Sequence, residues 1–188
     1  MPRLRRCKIP KVKVGDINMY YEVYGKGEPL VFITAFGGTT ETVSQARPIP
    51  MFSREYRVVA FDNRGAGRSD APDIPYTMEM MADDLAGLLN AIGIDAAHIN
   101  GASMGGLIAQ HFALRYPKRV ITLTLACASC GGPHSIPSDA EYIKLATDPE
   151  LSKMPMEERS KLLMPFVVSQ DFIDKNPKLM QQLLAQRT

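Results

Sequence analysis

Two stretches of this chain, Leu30-Val31-Phe32-Ile33 and, in Arg57-Val58-Val59-Ala60-Phe61, the four residues after the arginine, are apolar on successive residues rather than on alternate ones. A strand with one face in water alternates, whereas a run of this kind is covered on both faces. Two such runs call for a central sheet with helices packed on either side. Lys11 to Val14 and Ile17 to Val23 read as short alternating strands split by Gly15-Asp16, a hairpin signal. Between Thr77 and Gly93 the apolar residues Met81, Leu85, Leu88, Leu89 and Ile92 recur at helical spacing, with Thr77 as N-cap and Gly93 as stop. A strand at Ala97 to Asn100, a helix from Met104 to Tyr116 closed by Pro117, and a strand at Val120 to Cys127 follow. Strands alternating with helices predict parallel pairing, so the fold class is α/β.

The pattern changes after Gly131-Gly132-Pro133. From Ser138 to Thr188 only helical segments are predicted, broken at Asp148-Pro149, Met164-Pro165 and Asn176-Pro177. The chain therefore divides into a core over 1–133 and a helical cap over 134–188. Met154, Met156, Met164 and Met180 fall in the cap, where they could line an apolar pocket, though methionine commonly fills gaps in packing.

The chemistry-bearing segment is His98-Ile99-Asn100-Gly101-Ala102-Ser103-Met104-Gly105-Gly106, a G-x-S-x-G placed between a strand and a helix. Glycines at 101 and 105 leave room for a tight turn that lifts the serine side chain clear of the backbone. The helix that begins there points its free N–H groups and positive dipole end at the same spot. The N–H of Met104 is thus a natural donor to an oxyanion, with Ser103 as nucleophile.

With these residues the chain resembles the α/β-hydrolase superfamily, and two further motifs agree. Asp62-Asn63-Arg64-Gly65-Ala66-Gly67-Arg68-Ser69 matches the D-x-R-G-x-G-x-S stretch after that family's fourth strand. Ile33-Thr34-Ala35-Phe36-Gly37-Gly38 occupies the place of its oxyanion loop, which implies the N–H of Phe36 as second donor. Thr34-Ala35 stands where many members carry His-Gly. The overall likeness is to small esterases and 3-oxoadipate enol-lactonases, over about Val14 to Pro133. It implies a mostly parallel sheet of which strands one to six are present, followed by the start of a cap.

A serine nucleophile needs a base, and the base an orienting acid. In the resembling family these follow the seventh and eighth strands, which are not visible in this sequence. His98 precedes the nucleophile strand and reads as a capping or packing residue. His111 lies eight residues along the helix from Ser103, roughly 12 Å away and beyond hydrogen-bond reach. His134 follows the next strand but sits in a cap-entry loop. Asp139 and Glu141 read as solvated residues of the first cap helix. The Asp62 to Ser69 loop is expected to shape its own turn. Cys127-Ala128-Ser129-Cys130 forms a C-x-x-C, but the thioredoxin-like helix N-terminus that a redox pair would want and the second ligand pair that a zinc site would want are both missing from the pattern, and Cys127 is expected to be buried in its strand.

Bulk properties set limits. A net charge of +2 gives no argument for nucleic acid or membrane as partner. The run Arg3, Arg5, Arg6, Lys8, Lys11, Lys13 has no interleaved aromatics and reads as a solvated terminus. No secretory leader or membrane-length run is visible, and three cysteines make no disulfide framework, so a cytoplasmic setting is expected. The expectation is a serine hydrolase of carboxylic esters or lactones, with a small-molecule acyl substrate and no metal or organic cofactor. The alternative is a non-catalytic binding module or inactive fragment. Without strands beyond the sixth, Ile121 to Cys127 would present an open edge suited to self-association or a partner chain.

Overall fold

The sheet holds six strands: β1 (Lys11–Val14), β2 (Ile17–Tyr24), β3 (Glu28–Ile33), β4 (Tyr56–Phe61), β5 (Ala97–Ala102) and β6 (Val120–Ala126). Their spatial order is β1-β2-β4-β3-β5-β6. β3 pairs in parallel with β4 and β5, and β5 with β6, while β2 runs antiparallel to both β1 and β4. This computed structural model describes residues 11–45, 48–135 and 139–180, which form two compact units, one up to Ser135 and one after it.

The two unbroken apolar runs are the middle of the sheet. Val31, Ile33, Val59 and Phe61 point to one face, Leu30, Phe32, Val58 and Ala60 to the other, and each set is buried in its own core. The larger core is closed by α3 (Met78–Ala91) and α4 (Met104–Arg115); the smaller packs against α1 (Thr40–Gln45) and α2 (Pro48–Phe52). α1 and α2 are too short for a periodic signal to show in sequence. α3 starts where Thr77 accepts a hydrogen bond from the Met80 N–H, and the left-handed Gly93, at φ +67°, lies just past its C-cap Ile92. Its buried Leu85, Leu88 and Leu89 each contribute about 1.5–3 kcal/mol of apolar burial.

β6 ends at Ala126, and Cys127 leaves the sheet with φ +51° and an exposed side chain, so the expectation of a buried strand cysteine is corrected. A left-handed residue cannot continue the pleat, which is why the strand stops one residue short. Among the described residues β6 pairs with β5 alone, and Ile121, Leu123 and Leu125 are 47%, 39% and 43% exposed.

The second unit contains α5 (Ala140–Ala146), α6 (Pro149–Lys153), α7 (Met156–Val167) and α8 (Gln170–Lys175). Asp139, Asp148 and Ser169 cap three of these with side-chain oxygens on free backbone N–H groups. Tyr142 and Phe166 pack with tilted rings, centroids 5.6 Å apart, between α5 and α7. The expected break at Met164-Pro165 does not occur: Pro165 lies inside α7. It falls in the last turn, so its missing N–H removes one bond while the helix has only two residues left to run. Met154 is partly exposed and Met180 buried. Among the described residues no helix is long and apolar enough to cross a membrane.

Candidate active site

Ser103 occupies the bend between β5 and α4 with φ +52° and ψ −118°, one of two left-handed non-glycine residues described. L-residues adopt that region only where the surroundings over-determine it. Here the constraint is visible on both sides. A Cβ on Gly101 would stand 2.3 Å from the Gly105 carbonyl oxygen, and one on Gly105 would stand 2.3 Å from that of Ile33 and 2.7 Å from that of Thr34. The turn is therefore closed against its own helix and against the exit of β3. The Ser103 N–H donates to the Ala126 carbonyl at 2.9 Å, and the Ser103 carbonyl receives the Gly106 N–H at 2.8 Å. The residue is exposed, and its hydroxyl caps no backbone N–H of α4. That leaves the hydroxyl facing outward and the first N–H groups of α4, Met104 foremost, without intrahelical partners.

Contact of the Ile33 and Thr34 carbonyls with Gly105 brings the loop after β3 to the start of α4. That loop is a turn in which the Gly38 N–H donates to the Ala35 carbonyl at 2.9 Å, with Gly37 at φ +70°. Phe36 stands at its crest, 87% exposed, with its N–H outside the turn's own hydrogen bond. Thr34 is buried; its hydroxyl donates to the Gly38 carbonyl at 3.1 Å and accepts from the Asn63 amide at 3.3 Å. This Thr34–Asn63 link braces the loop where many relatives of the resemblance carry His-Gly, and no spacing in the sequence announced it. The structure thus gathers Ser103, Met104 and the Phe36 loop in one locality.

The Asp62 to Ser69 loop is tied inward. The fully buried Asp62 carboxylate accepts from the Thr40 N–H at 2.6 Å and the Arg68 N–H at 2.8 Å, and the Ser69 hydroxyl donates to the Asp62 carbonyl at 2.6 Å. Arg64, 3% exposed, makes a bidentate pair with Asp84 at 2.6 and 2.7 Å and reaches Asp16 at 3.1 Å. Asp84 holds the guanidinium above its ordinary range; burial pushes the Asp84 carboxyl up, against the pull of Arg64. These charges are spent on joining the β1–β2 turn, the loop and α3.

The histidines lie elsewhere. His98 contacts the Thr122 hydroxyl at 2.8 Å and Glu28 at 3.3 Å, and packs edge-on to Tyr56. His111 faces Glu79 on α3 at 3.5 Å. His134 ends a short 3-10 turn, Gly132–His134, and its side chain is outside the description. Asp139 is exposed and serves as the α5 N-cap, with Glu141 exposed beside it. Arg3, Arg5, Arg6 and Lys8 lie outside the described residues, whereas Lys11 pairs with Asp70 at 3.5 Å. Among the described residues no cluster of three or more His, Cys, Asp or Glu is arranged to hold a metal ion.

A strand-elbow-helix of this form, on a six-stranded mostly parallel sheet, defines a fold class. Residues 28–159 match the family model of the alpha/beta hydrolase fold, and the chain belongs to that family. It is 35% identical over 118 residues to a putative carbamate hydrolase, RutD, of Azorhizobium caulinodans, covering 62% of this chain and 43% of the relative. It is 38% identical over 145 residues to a 2-hydroxy-6-oxononadienedioate/2-hydroxy-6-oxononatrienedioate hydrolase of Dechloromonas aromatica, covering 73% of this chain and 50% of the relative. Among solved structures it is similar to Est816, described as an N-acyl homoserine lactone degrading enzyme, with TM-score 0.65 and 27% identity over 94% of this chain and 64% of that one. The chain spans about half the length of the curated relatives it matches.

Proposed function

We propose that the protein carrying this chain is a serine hydrolase that cleaves carboxylic ester or lactone bonds through an acyl-enzyme on Ser103. One observation carries the reading: the left-handed Ser103, clamped by glycines against β3 and α4, with its hydroxyl turned outward beside free N–H groups. In the reaction Ser103 Oγ attacks the acyl carbon and its proton passes to a base. The carbonyl oxygen becomes an oxyanion that accepts from the N–H groups of Met104 and Phe36. Collapse expels the alcohol, or opens the lactone ring, and leaves the acyl group on Oγ for water to remove. Relatives named as a putative carbamate hydrolase and as a 2-hydroxy-6-oxononadienedioate/2-hydroxy-6-oxononatrienedioate hydrolase support hydrolysis as the coarse reaction class. A cytoplasmic setting, favoured by the odd cysteine count, belongs to the same reading.

A second reading, a binding module without turnover, is favoured by the fact that neither His98 nor His111 is turned to Ser103. A fluorophosphonate probe separates the two. Covalent labelling that disappears in Ser103→Ala supports the hydrolase; a wild-type chain that stays unlabelled supports the module.

A further inference from the structure

The loop after β6 carries two free thiols, Cys127 and Cys130, and both are exposed. Their neighbours are all engaged with the nucleophile turn. The Ala126 carbonyl, one residue before the pair, accepts the Ser103 N–H at 2.9 Å. Ala128, inside the pair, lies so close to α4 that a Cβ on Gly106 would meet its methyl at 2.3 Å. The Ser129 carbonyl, also inside the pair, accepts from the Gln110 side chain at 2.8 Å, and that amide donates to the Gly106 carbonyl at 3.2 Å as well. Gly131 approaches Leu107 on the same helix. The two thiols therefore bracket the two residues that rest on the first turns of α4, and the left-handed Cys127 turns the chain as it leaves the strand.

We propose that Cys127 and Cys130 are a reversible dithiol–disulfide site whose oxidation changes the reactivity of Ser103; the second half of this rests on the nucleophile reading above. The oxidant is a low-molecular-weight disulfide. One protein thiolate attacks a sulfur of that disulfide and expels a thiolate, forming a mixed disulfide. The second protein thiolate attacks the first protein sulfur and expels the other small thiolate. Two protein thiols are oxidised, the small disulfide is reduced to two thiols, and the protons released by the cysteines end on them. A disulfide holds the cysteine Cα atoms within about 4.4–6.8 Å and so fixes the backbone of the two residues between them. Through Ala128 and Ser129 that constraint bears on Gly106 and Gln110, and through Ala126 on the Ser103 N–H. Bond formation of this type in an otherwise reducing compartment marks a sensing or catalytic pair rather than a structural one.

The test uses the whole chain with Cys7→Ser, so that only the pair remains, treated with oxidised glutathione. Peptide mapping is expected to find an internal Cys127–Cys130 disulfide without retained glutathione. Fluorophosphonate labelling of Ser103 is expected to slow about tenfold, since displacement near a reacting centre of even an ångström is costly, and to recover with dithiothreitol. The Cys127→Ser/Cys130→Ser double variant is expected to label at the reduced rate with or without glutathione. Glutathione adducts alone, or no reaction, overturn the site. An internal disulfide with unchanged labelling overturns the coupling. Should Ser103 resist labelling in the reduced chain too, the hydrolase reading fails instead, and amide exchange at Ser103 to Gly106 decides: a change on oxidation upholds the coupling, and identical exchange overturns it.

Discussion

Gly105→Ala sets two effects against each other at the nucleophile turn. Gly105 is the second residue of α4, and in a helix interior alanine is favoured over glycine by about 1 kcal/mol. The new methyl, however, would stand 2.3 Å from the Ile33 carbonyl oxygen and 2.7 Å from that of Thr34, where ordinary contact begins at 3.4 Å. Both obstacles are backbone, one in the central strand β3, so neither can turn aside as a side-chain tip would. α4 and β3 must separate by roughly an ångström, and overpacking of this kind costs about 1–3 kcal/mol. Set against the propensity, the clash gives a net loss of about 0–2 kcal/mol in urea unfolding. The same displacement separates Ser103 and Met104 from the Phe36 loop, and misplacement by an ångström can lower reactivity by about 100-fold. Urea midpoints and fluorophosphonate labelling rates, measured on the same samples, check both numbers. A Gly105→Ala chain that is more stable than the parent and labels at the parent rate would refute the close approach of β3 to α4.

Asp84→Ala leaves Arg64 buried with the half-exposed Asp16 as its remaining carboxylate partner among the described residues; breaking a buried pair on one side costs about 3–5 kcal/mol, read by urea unfolding, and a loss below about 1 kcal/mol would contradict the tie. Asp70, held low by the Asn18 backbone and side-chain amides, and Asp16, held low by Arg64, have folded pKa values below their unfolded ones. Their contribution is therefore present above the ordinary aspartate value, about 3.9, and lost as pH falls through the folded values. Asp84, pushed up by burial, runs the other way and loses its contribution as pH rises through its folded value. Thermal melts across pH are expected to show a falling acid limb that is shallower in Asp70→Asn; an identical limb counts against the Asn18 contacts. The chain is expected to self-associate through β6, and Leu123→Lys to reduce this in sedimentation; a monodisperse, cooperatively melting monomer would contradict that expectation.

The fold was legible where local patterns carried their own physics. Unbroken apolar runs placed β3 and β4 in the middle of the sheet, and Thr77 and Gly93 bounded α3 through capping and left-handed geometry. The segment from Gly101 to Gly105 located the nucleophile turn because the clearance it needs excludes other residues. What escaped were contacts between residues far apart in sequence. Thr34 and Asn63 are 29 residues apart, and neither residue type signals a partner. Ser129 meets Gln110 from 19 residues away. Cys127 was misplaced for a different reason: its apolar neighbours suit a strand, and only the backbone reveals the left-handed exit that exposes it. Pro165 misled in the opposite direction, since a proline stops a helix only when enough helix remains to be stopped.

The clamped, outward-facing Ser103 is tested most directly by trapping the intermediate. The protein is quenched in acid during reaction with an activated carboxylic ester, and the mass gained is mapped by peptide. The account predicts a single acyl group on the peptide carrying Ser103, absent from Ser103→Ala. An acyl group on another residue, or one that persists in Ser103→Ala, would contradict it.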